Sequence, residues 1–80
     1  MTKYTLVSDK LYMILDYYIG KAKNCKDFFE CYFNIAWFLV ETGEIISKST
    51  LDYSDKKKLL IWINSEISVL YMYYKMHNID

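Results

Sequence analysis

Eighty residues, with ten lysines, no arginine, ten acidic side chains and no proline, make a formally neutral chain that is long enough for one hydrophobic core and too short for two. Fifteen of the eighty are aromatic, nine of them tyrosine. A chain so rich in large apolar groups at balanced charge falls outside the disordered, collagen-like and low-complexity classes.

Three amphipathic segments separated by two polar breaks can be read from the periodicity, and none alternates over enough residues to argue for a strand. The first helix is predicted near 8–23. Val7, Leu11, Ile14, Leu15, Tyr18 and Ala22 follow three- and four-residue steps along one face, while Lys10, Asp16 and Lys21 lie off its centre. Thr5 or Ser8 is its expected cap. Gly20 weakens the last turn, and Asn24 and Asp27 offer side-chain caps for the next helix across a tight hairpin.

The second helix, predicted near 25–42, is apolar almost all round. Its polar positions Asp27, Glu30, Asn34 and Glu41 fall in a stripe of roughly 60° at 100° per residue, flanked by Trp37 and Phe38. Such a helix belongs at the centre of a fold, with most of Phe28, Phe29, Tyr32, Phe33, Ile35, Ala36 and Leu39 expected in the core and Gly43 as a C-terminal cap. Its uncharged run from Cys31 to Val40 is ten residues, against about twenty needed to span a bilayer.

The third helix is predicted near 50–76, starting at Ser49 or Ser54. Leu59, Leu60, Ile63, Ile67, Leu70 and Tyr74 form its expected core stripe. Ile61, Trp62, Val69 and Met72 fall on the opposite side beside the small Ser65 and Ser68, giving a second apolar face that one three-helix core cannot cover.

Cys25 and Cys31 are six apart. On a single helix they would stand about 9 Å apart along the axis and point about 120° away from each other, beyond disulfide reach. With no apolar leader after Met1, the expectation is reduced thiols in a cytoplasmic protein. Two thiols and the lone His77 make no metal quartet, so no cofactor or metal is expected.

Catalytic side chains are scarce. His77 stands three residues from the end, no Ser or Cys has a partner at motif spacing, and Asp52 and Asp55 read as helix N-terminal acids; no enzyme is expected. A different chemistry is suggested by Ile46-Ser47-Lys48-Ser49-Thr50-Leu51-Asp52-Tyr53, which follows a helix expected to end near Gly43 and leads into Lys56-Lys57-Lys58. Over about fifteen residues this string resembles the turn and recognition-helix start of helix-turn-helix proteins. That resemblance implies DNA binding with Lys48, Lys56, Lys57 and Lys58 on phosphates. It departs from the family in a turn two residues too long, in Asp52 and Asp55 beside the phosphates, and in having no Arg for guanine. Nucleic acid is therefore the alternative partner rather than the leading one.

The leading expectation is an all-α small three-helix bundle, a helical hairpin plus a long third helix, that forms a homo-oligomer and binds a protein partner without spanning a membrane. The interface is expected at Trp37, Phe38, Ile61, Trp62, Val69 and Met72, where apolar surface exceeds what one core can cover. Residues of AT-rich codons (Phe, Tyr, Met, Ile, Asn, Lys) make up half the chain, whereas Gly, Ala, Arg and Pro together number four. With the small size and absent chemistry, this skew suggests a viral, phage or mobile-element regulator that inhibits a host or defence protein by occupying its surface.

Overall fold

The computed structural model describes residues 2–77 as three helices, α1 (Lys3–Ala22), α2 (Phe28–Lys48) and α3 (Tyr53–His77), each packed against the other two in a bundle 41 × 19 × 16 Å. The all-α three-helix architecture is the one read from periodicity. Among the described residues no helix is long and apolar enough to cross a membrane.

The helix ends differ from the predicted ones, and in each case a local hydrogen bond explains why. α1 begins five residues early because the Thr2 hydroxyl accepts from the Thr5 amide at 3.1 Å, so Thr2 rather than Thr5 or Ser8 is the cap. α2 begins at Phe28 through a variant of the capping box in which Glu30 reaches back to the residue before the cap. Asp27 accepts from the Glu30 amide at 2.8 Å, and the Glu30 carboxylate accepts from the Lys26 amide at 3.2 Å. α3 is started by Asp52, whose carboxylate accepts from the Asp55 amide at 2.8 Å; neither Ser49 nor Ser54 caps it.

The largest displacement is at the end of α2, which runs through Gly43 to Lys48 instead of stopping there. Gly43 has an ordinary helical backbone rather than the left-handed conformation of a cap. Beyond it, Glu44 to Lys48 continue the helix so that Ile46 reaches the core. Ile46 to Lys48 are thus helical, and the link to α3 is the four residues 49–52, shorter than the turn whose length set this string apart from the helix-turn-helix family.

Cys25 lies in the α1–α2 connection rather than on a helix with Cys31. The two Cα atoms are 6.0 Å apart and the sulfurs form a disulfide. The expectation of separated, reduced thiols is corrected accordingly, since it required both residues to share one helix. The bridge pins the first turn of α2 to the end of α1 and is of a kind maintained in oxidising compartments.

The core contains Leu11, Leu15, Tyr18 and Ala22 of α1, Phe38 and Ile46 of α2, and Leu59, Ile63, Leu70 and Tyr74 of α3. Val7, Ile14 and Ile67 pack against it, as their stripes implied, but Leu60, assigned to the α3 stripe, faces outward. Thr42 is fully buried at no cost in hydrogen bonding, because its hydroxyl donates to the Phe38 carbonyl at 2.7 Å.

Candidate protein interface

The outward surface of α2 departs most from expectation. Phe28, Phe29, Tyr32, Phe33, Trp37, Leu39 and Val40 are exposed by 45% (Leu39) to 73% (Phe29) of their full area. At 100° per residue the set from Phe29 onward covers an arc of roughly 160° around Ala36, opposite Cys31, Phe38 and Thr42, which face the core. Five of these, Phe28, Phe29, Tyr32, Phe33 and Leu39, had been expected inside.

The rotation follows from what the polar stripe does. Glu41 accepts from the buried Tyr18 hydroxyl at 2.9 Å, Asn34 lies beside Tyr74, and Glu30 is engaged in the capping box. The polar positions therefore lie along the flank of the core, where Asp27, Glu30 and Glu41 remain exposed, and the side of α2 opposite the core is left to aromatic and aliphatic residues. Among residues 28–40 the only charged side chain is Glu30, so the face itself carries no charge. Phe28 stacks on Tyr32 with ring centroids 6.4 Å apart and Tyr32 meets Phe33 edge-on at 6.5 Å, making a continuous aromatic surface. Isolated exposed apolar side chains are ordinary, but a contiguous set of this size is not.

The six expected interface residues are divided. Trp37 lies on the exposed α2 face. Phe38 does not: it is fully buried against Tyr18, with ring centroids 5.6 Å apart, because one helical step beyond Trp37 points 100° away, into the core. Trp62 is half-buried, packing on the core and against Tyr12 at 4.7 Å, and so helps join α1 to α3. Ile61 and Met72 are exposed, and Val69 is half-buried beside Met72 and Met76 around a shallow depression of about 300 Å³. The outer surface of α3 thus carries exposed apolar side chains of its own.

Lys48, Lys56, Lys57 and Lys58 belong to the corner where α2 ends and α3 begins. Lys56 donates to the Ser47 carbonyl at 3.1 Å, and Lys58 lies 4.0 Å from Asp55. Two of the four therefore have partners within the chain, and Asp52 caps α3 in the same corner.

Two tyrosines are perturbed. Burial first, then the hydrogen bond to the Glu41 carboxylate, raises the Tyr18 phenol well above the ordinary tyrosine value. Burial also raises Tyr74, against a lowering by Asn34, and no hydrogen bond of good geometry reaches the buried Tyr74 hydroxyl. Both sit inside the bundle and open onto no cleft among the depressions described. No cluster of three or more metal-ligating side chains occurs among the described residues. The chain matches no known family model, no curated protein and no solved structure.

Proposed function

We propose that this protein is a small protein-binding regulator or inhibitor, of viral or mobile-element origin, that acts by covering an apolar surface of a protein partner and performs no catalysis. The observation that carries this reading is the uncharged aromatic face of α2, left open by a fold that already has a filled core. Aromatic side chains of this kind dominate binding when buried at the centre of an interface. The AT-rich composition and sparse catalytic inventory support the rest.

A site-specific test is photo-crosslinking in cells from a benzophenone side chain placed at Phe33 or Trp37, compared with Asp9 and Asp16 on the exposed side of α1. Discrete higher-mass adducts are expected from the two α2 positions only, and they should vanish when Val40→Glu is added to a chain of unchanged circular dichroism. Adducts equal at all four positions, or none at any, would refute it.

The alternative, a DNA-binding regulator using Lys48 and Lys56 to Lys58, is favoured only by the grouping of these four lysines at one corner. It requires retention on duplex DNA that weakens steeply with salt, and replacing Lys56, Lys57 and Lys58 by Gln should then lower the slope by about 0.9 for each phosphate no longer neutralised.

A further inference from the structure

The two ends of the α2 face differ in size. The first carries Phe29, Tyr32 and Phe33, the last carries Leu39, Val40 and Gly43, and Ala36 with the bulky Trp37 beside it lies between them. Gly43 is 14 residues, or about 21 Å, beyond Phe29, and Phe29, Ala36 and Gly43 follow one another at heptad spacing along a single seam.

Nothing within the chain accounts for a glycine at position 43. Its backbone has no positive φ, and a Cβ added there would meet nothing within 4 Å, although glycine inside a helix is unfavourable relative to alanine. It instead forms part of a depression of about 250 Å³ bordered by Ile46, Ser47, Tyr53, Lys56, Lys57 and Leu60. A knob and a hole therefore lie on one face, equidistant from Ala36.

From this geometry we infer that the occupant of the α2 face is a second copy of this chain, docked antiparallel about a two-fold axis near Ala36, with Phe29 of each copy entering the notch over Gly43 of the other. The inference rests on the reading of this face as a protein-binding surface and names what covers it in the free protein, a copy that a target protein would have to displace. An antiparallel two-fold axis sets the bulky end of each face against the other copy's smaller end and keeps Trp37 beside the axis, so the ends of the surface are complementary to one another. From Phe29 to Gly43 the arc carries no charge, Glu44 stands just beyond it, and Lys56 and Lys57 border the notch, where an entering aromatic ring meets cations rather than a like charge. The area also suffices: aromatic side chains of about 200 Å² each, exposed as here, together with Leu39 and Val40, offer about 800 Å², which is the usual contribution of one partner to a stable interface.

The test is light scattering over a micromolar dilution series, with circular dichroism as the check on folding. The wild-type protein should have twice its 9.7 kDa chain mass. Gly43→Leu fills the notch and should raise the dissociation constant at least about tenfold, and Phe29→Ala removes the knob and should do the same. The double variant Phe29→Ala/Gly43→Leu moves the bulk to the opposite side of the same contact and should restore much of the affinity. Gly43→Ala adds one methyl group and serves as the milder filling variant should Gly43→Leu perturb the helix.

A single-chain mass for the wild type, an unchanged mass for both Gly43 variants, or a double variant no better than the weaker single one would overturn the pairing. A crosslink from Trp37 to another protein, found beside a single-chain mass, would sink the self-pairing and leave the binding reading standing. Absence of both adducts and dimer would sink the two together.

Discussion

Truncating Phe38 to alanine while leaving its neighbour Trp37 in place, and then doing the reverse, probes the rotation of α2 about its own axis. Phe38 is 0% exposed and meets Tyr18 edge-on, whereas Trp37 is 57% exposed. Removing the Phe38 ring withdraws on the order of 120 Å² of buried apolar surface, worth about 3 kcal/mol at 25 cal/mol per Å². Breaking the aromatic pair adds about 1 kcal/mol, giving about 4 kcal/mol, within the range for Phe-to-Ala changes in cores. Small domains have about 5–15 kcal/mol in total, so this is a large fraction of the stability. Trp37→Ala should cost the isolated chain less than about 2 kcal/mol, since over half of its surface is already in water. Urea unfolding followed by far-ultraviolet circular dichroism, on protein dilute enough to be monomeric, compares the two midpoints at constant m-value. Equal costs, or a larger cost for Trp37, would mean that α2 presents a different side to the core and that its outer face is not the one described.

Other outcomes follow from particular contacts. Reducing the Cys25–Cys31 bridge, or replacing both residues by serine, should lower stability by about 2 kcal/mol on the loop-entropy scale for so short a loop, read as a fall in thermal midpoint of about 10 °C; an unchanged midpoint would show that the bridge does not constrain the fold. The Tyr18 phenol titrates higher in the folded than in the unfolded chain, so its contribution is full below the unfolded value of about 10 and is lost as pH rises through the folded one. Stability should therefore decline above about pH 10, less steeply in Tyr18→Phe, and identical alkaline profiles would count against the Tyr18–Glu41 contact. Met72→Glu should leave the fold and self-association intact, because Met72 is exposed on α3 and takes no part in the α2 seam; dissociation of a dimer by this change would move the interface to α3.

The α1 stripe and most of the α3 stripe were legible in sequence because polar residues mark the opposite side: Leu11, Leu15 and Tyr18, and Leu59, Ile63 and Leu70, lie where period 3.6 puts them. α2 was not legible in this way. Its polar stripe is the one feature that gives it a direction, and that stripe, though largely exposed, runs along the edge of the core rather than opposite it, with Glu41 serving the Tyr18 hydroxyl and Glu30 bonding at the helix start. The burial of Phe38 follows from that change of direction, whereas Trp37 is exposed as expected. The disulfide was missed for a smaller reason. Starting α2 at Phe28 takes Cys25 off the helix, and a three-residue difference in a boundary turns two divergent thiols into a bonded pair. Gly43 looked like a stop because glycine often ends helices, whereas here Ile46, one turn on, is drawn into the core.

The central claim, that the aromatic side of α2 is a binding surface and not misplaced core, is tested most directly by sedimentation velocity on Phe33→Glu together with thermal melting of the dilute protein. Phe33 is more than half exposed, so a carboxylate there remains hydrated in the single chain but would be buried in any complex formed through this face. The account expects sedimentation as a single chain under conditions where the wild type is dimeric, with helix content and melting temperature in dilute solution unchanged within a few degrees. A Phe33→Glu protein that is unfolded when dilute, or one that sediments as the wild type does, would contradict it.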